Sequence, residues 1–210
     1  MLRHPFPHAS STCKRTCLIL FSLIGIAHNQ RSFCQASNLL YWSGQTNNNW
    51  DEKNWASDAS GTSPSTSIPS PTTSVVFTAS SASNPDIQLD SSASIAGLTF
   101  DSSQDISIGG SGNITVSGPV VVSPNLGNPT VSVPLVVAGS TGKVEILGAT
   151  LTVDRIEGSG FEVSNNSALI LSNSNSATFS GSISGSGSVS KEGTGTLKID
   201  QDNTIGGDLT

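Results

Sequence analysis

The chain has 210 residues, and 94 of them are Ser (39), Thr (19), Asn (15) or Gly (21). Charged residues make up 11%, hydrophobic residues 35%, and the formal net charge is −6. These proportions exclude coiled coils and ordinary helical proteins, which lean on Ala, Leu, Glu and Lys, and lack the strong self-repulsion of most disordered chains, leaving a β-rich, turn-rich protein with small polar surface residues.

Residues 1–36 stand apart. They carry Arg3, Lys14, Arg15 and Arg31, no acidic residue, and an apolar run from Cys17 to Ala27. Eleven residues fall short of the about 20 needed to span a bilayer. A basic stretch, a short apolar run and small residues after it predict a secretory signal peptide over 1–36. Cleavage falls after Ala36, where Cys34 and Ala36 supply the small positions, or after Ala27, where Gly25 and Ala27 do. No Leu-x-x-Cys lipobox precedes Cys34. The predicted address is therefore secreted or cell-surface.

Cleavage would remove all three Cys (13, 17, 34) and all three His (4, 8, 28). The mature chain, 37–210, keeps Lys53, Lys143, Arg155, Lys191 and Lys198 against all 15 acidic residues, a net charge of −10. A Cys nucleophile, a Ser-His-Asp triad, a His/Cys zinc site and disulfides are then excluded. Five scattered cations make no basic patch, which argues against nucleic acid as a partner. No transmembrane segment is expected in the mature chain.

Two parts of the mature chain follow: 37–85, an N-terminal cap with a Pro/Ser/Thr-rich segment, and 86–210, a β-solenoid. No stretch places apolar residues at helical spacing for three turns. Short runs bounded by turn residues recur instead, and most of them alternate apolar with small or polar residues, which points one row of side chains inward and the other to solvent. In chain order the runs are Val75-Val76-Phe77; Ile87 and Leu89; Ile95, Leu98 and Phe100; Ile106 and Ile108; Ile114 and Val116; Val120-Val121-Val122; Val131 and Val133; Leu135-Val136-Val137; Val144 and Ile146; Leu151 and Val153; Phe161 and Val163; Leu169-Ile170-Leu171; Leu197 and Ile199. Pro64, Pro69, Pro71 and Pro85 belong to an irregular surface stretch, whereas Pro119, Pro124, Pro129 and Pro134 fall at strand starts or turns, where no ladder donor is lost.

A stack of medium-sized, mostly β-branched inward residues, few aromatics and an even density of short strands predict an all-β fold, a right-handed parallel β-helix (solenoid) with an aromatic N-terminal cap. The Phe spacings, 77 to 100 and 161 to 179, suit coils of about 20 residues. A Greek-key sandwich is the alternative for part of the chain.

Residues 181–210 carry Gly181, Ile183, Gly185, Gly187, Val189, Lys191, Gly193, Gly195, Leu197, Ile199, Asn203, Thr204, Gly206 and Gly207 in a pattern that resembles the autotransporter-associated β-strand repeat of bacterial surface proteins. Ile205 stands where that repeat has an aromatic residue. Tyr41, Trp42 and Gly44, then Asn49-Trp50 and Asn54-Trp55, are similar to the opening of the same proteins, and Leu98, Phe100 and Asp101 to one of their strands. The resemblance implies the N-terminal part of an exported, β-helical passenger-type protein, a class in which many chains end in an outer-membrane barrel. Independently of it, the four glycines from 185 to 195 suit positive φ at tight corners, and Asn203 suits a turn or a ladder between coils. An uncapped edge is expected at Thr210, where pairing with other β-helical chains would occur.

The candidate site is the cluster Tyr41, Trp42, Trp50 and Trp55. Exposed rings would stack on surface glycans, with Asp51 and Asn47 to Asn49 as hydrogen-bonding neighbours. Buried rings would cap the first coil, since each large aromatic buries about 150–250 Å². The cap is the favoured reading. The acidic groups Asp200 with Asp202, Asp86 with Asp90, and Asp154 with Glu157 around Arg155 have residue types that could serve sugar chemistry or Ca²⁺ and suit solvated turns better; no catalytic residue, metal or cofactor is expected. The glycine-rich stretch 109–113 reads as a turn, and the N-glycosylation patterns at Asn113 and Asn165 as chance matches in so Ser/Thr-rich a chain. The expected function is non-enzymatic, a structural or adhesin-like stalk with a polar surface. An extracellular carbohydrate-binding module using the Trp cluster is the alternative, and a polysaccharide-degrading enzyme is third.

Overall fold

The structure is a computed structural model that describes residues 38–78, 83–124, 127–138, 143–158 and 160–210. The predicted signal peptide, 1–36, lies outside the described residues. Those residues form strands and turns with no α-helix.

Two strands open the described part of the chain, β1 (Asn38–Trp42) and β2 (Trp55–Ala56). Six coils of three strands follow. They are β3 (Thr73–Thr78), β4 (Asp86–Gln88) and β5 (Ala93–Ile95); β6 (Gly97–Asp101), β7 (Ser107–Gly109) and β8 (Ile114–Val116); β9 (Val120–Val122), β10 (Thr130–Val131) and β11 (Leu135–Val137). The last three coils are β12 (Val144–Ile146), β13 (Thr150–Val153) and β14 (Ile156–Gly158); β15 (Gly160–Val163), β16 (Ala168–Leu171) and β17 (Ala177–Phe179); β18 (Ser182–Gly185), β19 (Ser188–Lys191) and β20 (Leu197–Ile199). A short β21 (Thr204–Ile205) adds to the first face.

Every third strand pairs, so the coils stack into three faces. The first is a nine-stranded sheet in the order β2-β1-β3-β6-β9-β12-β15-β18-β21, and the second a six-stranded sheet running from β4 to β19. The third face consists of a four-stranded sheet, β5 to β14, and the pair β17-β20. All pairings from β3 onward are parallel. A Greek-key sandwich requires antiparallel neighbours, so the solenoid is the fold. β3 lies within 37–85, yet it already pairs with β6 as a rung of the stack.

The alternation read from the sequence sets the register. Leu40, Val75, Leu98, Val120, Val144, Phe161 and Ile183 form one inward column of the first face, and all seven are buried. Ile87, Ile108, Val131 and Val153 do the same on the second face, and Ile114, Leu135 and Ile156 on the third. Burying each aliphatic side chain stabilises the fold by roughly 1.5–3 kcal/mol. A one-residue slip would turn a whole column to solvent, which is why such short strands hold register.

Pro85, Pro119, Pro129 and Pro134 each sit one residue before a strand. Their carbonyls accept the N–H groups of Ser107 (2.8 Å), Leu98 (3.0 Å), Thr152 (3.0 Å) and Ile114 (2.9 Å). Each therefore serves the ladder as an acceptor. Pro85 belongs with the strand-start prolines rather than with the irregular stretch. Phe77 and Phe100 are register partners and stack with centroids 5.3 Å apart and planes 11° apart. Phe161 and Phe179 lie on different faces of one coil and meet edge to face at 5.6 Å, so their separation in sequence is not a rung.

Candidate functional site

β1 alternates like the other strands, with Leu40 and Trp42 inward and Tyr41 half-buried on the outer side. The chain then loops out and returns antiparallel as β2, pairing Tyr41 with Ala56 and Trp42 with Trp55. Trp55 lies edge-on between two indoles, 5.0 Å from Trp42 and 4.8 Å from Trp50, both at 74°. Phe77 of the first coil lies 6.4 Å from Trp42 and from Trp50. Trp42 and Trp55 are 0% exposed and Trp50 1%. Two of the indole N–H groups have carbonyl partners: Trp42 donates to the Asn84 carbonyl at 2.7 Å and Trp55 to the Trp50 carbonyl at 2.9 Å.

The loop between β1 and β2 reaches a second face. Gln88 donates to the Asn48 carbonyl (2.7 Å) and Trp50 to the Gln88 carbonyl (2.9 Å), a parallel bridge to β4. The cap therefore covers the first coil on two sides. With the indole faces packed on one another and on Phe77, sugar stacking is left to Tyr41 among the four candidate residues. Two of the polar neighbours are engaged within the loop: the Asn47 carboxamide oxygen accepts the Asn49 N–H (2.9 Å), and that of Asn49 accepts the Asp51 N–H (2.9 Å).

The residue that organises this loop is Asn54, which is 0% exposed. Its Oδ1 accepts the N–H groups of Thr46 (3.0 Å) and Asn47 (3.1 Å). Its Nδ2 donates to Asn47 Oδ1 (2.7 Å) and to the Asn49 carbonyl (2.8 Å). Its carbonyl accepts the Ser43 N–H (2.8 Å) and hydroxyl (2.9 Å). Sequence reasoning noted Asn54 only as the neighbour of Trp55. The signal that marks it is a lone Asn, next to a core aromatic, facing a polar loop whose backbone needs partners. Asn54→Ala removes four side-chain hydrogen bonds and is expected to cost about 2–4 kcal/mol. Urea unfolding followed by Trp fluorescence measures this, and a midpoint within error of the parent would remove Asn54 from this role.

Asp58 shapes the outer loop of the cap. Its carboxylate accepts N–H groups from Ser60 (2.9 Å), Thr62 (3.3 Å) and Ser63 (2.6 Å), and the Ser60 hydroxyl. These bonds, Ser60's first and Ser63's next, hold its carboxyl well below the usual carboxylate range. The Tyr41 phenol is pushed up, chiefly by burial and then by the nearby Asp58 charge.

The other acidic candidates are dispersed over the coils. Glu157 pairs with Arg155 at 3.5 Å, Asp200 with Lys198 at 2.7 Å, and Asp90 accepts from Gln88 at 2.7 Å. Among the described residues no three His, Cys, Asp or Glu side chains gather as a metal would require. No helix among them is long and apolar enough to cross a membrane. The stretch 109–113 closes β7 and leads into β8 as a turn, with Gly110 at φ +129°.

In 181–210, Gly185 and Gly193 take positive φ (+116° and +74°). Gly187 and Gly195 do not; a Cβ there would lie 2.5 Å from the Ser164 carbonyl oxygen and 2.3 Å from that of Asn175, so close approach between rungs is what requires glycine. Asn203 serves both its own turn, donating to the Gln201 carbonyl (2.8 Å), and the coil before it, accepting the Ile183 N–H (2.7 Å). No family model, curated protein or solved structure matches the chain.

Proposed function

We propose that the chain is an exported, non-enzymatic structural protein, a passenger-type β-solenoid of the kind that carries autotransporter-associated repeats and presents a polar, adhesin-like surface. The observation that supports this reading is the stack itself. One apolar axis runs through six coils, and each rung's backbone is hydrogen-bonded to the next. The outward rows carry mostly Ser, Thr and small groups, with charges paired along the rungs: Lys143 bridges Glu145 and Glu162, which face each other in register. Such a surface resists proteolysis because no backbone segment can be drawn out of the ladder without breaking bonds on both sides. Repeats of this kind suit extended scaffolds.

The export half of the reading is tested with residues 1–36 fused to a reporter enzyme. The expected outcome is delivery outside the cytoplasm, with an N-terminus at Ser37 or His28. Retention of an unprocessed reporter in the cytoplasm would overturn it. The structural half is tested by limited proteolysis of the full chain, in which the coils are expected to survive as one resistant core.

A further inference from the structure

The second face carries a lysine in an inward column. Ile87, Ile108, Val131, Val153 and Leu171 are successive register partners there, and all five are buried. The next partner in that column, opposite Leu171, is Lys191. Lysine is rarely drawn into such a position unless its ammonium finds partners. The half-buried side chain continues the column from Leu171, and its Nζ donates to the carbonyls of Glu192, Gly193 (3.2 Å) and, one coil away, Asn173 (3.5 Å). Three main-chain carbonyls match the three donors of an ammonium group. Lys143, Arg155 and Lys198 each lie against a carboxylate instead.

The corner that receives this ammonium gathers oxygens from two coils. Gly193 sits at φ +74°, and a Cβ there would lie 2.5 Å from the Ser172 carbonyl oxygen and 2.6 Å from that of Asn173, so glycine is what lets the two corners approach this closely. The Asn173 carbonyl also accepts the Gly195 N–H (3.1 Å), which fixes it between the coils. Asn173 is 3% exposed. Its Nδ2 donates to the carbonyls of Asn175 (2.6 Å) and Thr196 (3.4 Å), while its Oδ1 is buried and has no hydrogen-bond donor. A buried oxygen without a donor is costly. In the same corner as three converging carbonyls it leaves acceptors in excess of donors, and a cation offsets the resulting negative potential.

We propose that this corner is a carbonyl site for an ammonium-sized monovalent cation, occupied in the native chain by the tethered ammonium of Lys191. The lysine is a built-in charge that ties the corner between β19 and β20 to the corner between β16 and β17. Ammonium and potassium ions match it in charge and approach it in size. A ring of neutral carbonyls suits them better than a divalent ion, which takes carboxylates.

The test compares the full chain with Lys191→Met, which keeps an unbranched apolar stem in the column and removes the ammonium. Urea unfolding is followed by circular dichroism in tetramethylammonium, lithium, potassium and ammonium chloride at equal ionic strength. In tetramethylammonium chloride the variant is expected to lose about tenfold or more in its folding equilibrium constant, the effect of losing hydrogen bonds to a charged group. Potassium or ammonium chloride is expected to restore it selectively, about tenfold at ten times the dissociation constant of the ion, whereas the parent shows no such selectivity. A variant as stable as the parent in tetramethylammonium chloride would overturn the proposal. So would a loss that is alike in all four salts, since the lysine would then act through packing or local charge alone. If Lys191→Met folds in none of them, the native chain decides: nitrogen-15 NMR is expected to show the Lys191 Nζ protons exchanging slowly with water at neutral pH, and rapid exchange at that group would overturn the proposal.

Discussion

Trp55→Ala is expected to lower the stability of the chain by about 3–5 kcal/mol, the range for emptying a large aromatic site in a packed core. Trp55 is 0% exposed and is the ring that both Trp42 and Trp50 contact edge-on. Its removal ends two aromatic pairs, each contributing about 0.5–1.5 kcal/mol beyond area burial, and leaves the Trp50 carbonyl without its indole donor. The neighbours cannot close the gap cheaply, since Trp42 is fixed to Asn84 and Phe77 is fixed by its stack on Phe100. Urea unfolding monitored by circular dichroism gives the size of the loss. Tyr41→Ala, at a half-buried ring on the outer side of the same strand, is expected to cost only about 1 kcal/mol. A cluster evolved for sugar stacking would give the reverse pattern: Trp55→Ala would keep its midpoint and lose retention on insoluble glycan. That result would remove the cap interpretation.

The columns of the solenoid were legible because a half-buried strand writes its period into the sequence. Ile106 with Ile108, Ile114 with Val116 and Val131 with Val133 alternate cleanly with a Ser or Thr between them, and each falls buried where the alternation places it. In the sixth coil alternation marks only Leu197 with Ile199 of β20. β18 has Ile183 as its one aliphatic residue and β19 has Val189, too few for alternation to be counted. β1 escaped notice as a rung because Leu39, Leu40, Tyr41 and Trp42 form an unbroken apolar run, which fixes no inward face. Its parallel partner β3 decides the face instead.

The cap was legible as a cluster of aromatics and illegible as a mechanism. Nothing in local sequence says that Asn54 receives the N–H groups of Thr46 and Asn47, or that 48–50 adds to the edge of β4, because both depend on a loop folding back over a coil that comes later in the chain. The same holds at corners where a polar side chain serves the coil beside it. Asn128 accepts the Thr150 N–H at 3.1 Å and itself donates its N–H to Asp105 at 2.7 Å. In isolation these residues look like ordinary turn formers. In the stack each satisfies a corner donor one rung away, at the point where the ladder bends and backbone partners are out of reach.

Gly110→Ala is expected to destabilise the chain by about 3 kcal/mol or more, while Gly109→Ala, one residue earlier, is expected to stay within about 1 kcal/mol. The contrast follows from where each Cβ would go. At Gly109 it would meet nothing within 4 Å; at Gly110 it would lie 2.1 Å from the Leu89 carbonyl oxygen and 2.6 Å from its carbon. Gly110 also sits at φ +129°, a region that L side chains avoid. The Leu89 carbonyl cannot move aside, since it accepts the Gly112 N–H at 2.9 Å while the Leu89 N–H is held by Gly109 at 2.7 Å. Alanine at 109 removes backbone freedom from the unfolded chain, a small gain for the folded one. Gly158 and Gly185 repeat the arrangement on other faces, with φ of +129° and +116° and a Cβ that would lie 2.1 Å from the carbonyl oxygens of Val137 and Val163, so Gly158→Ala and Gly185→Ala are expected to match Gly110→Ala. Because these corners bring the backbone of one rung against the carbonyl of the rung before it, the series measures the axial stacking itself. Thermal unfolding in which Gly110→Ala and Gly109→Ala shift the midpoint equally would mean that the rungs do not approach as closely as the fold requires.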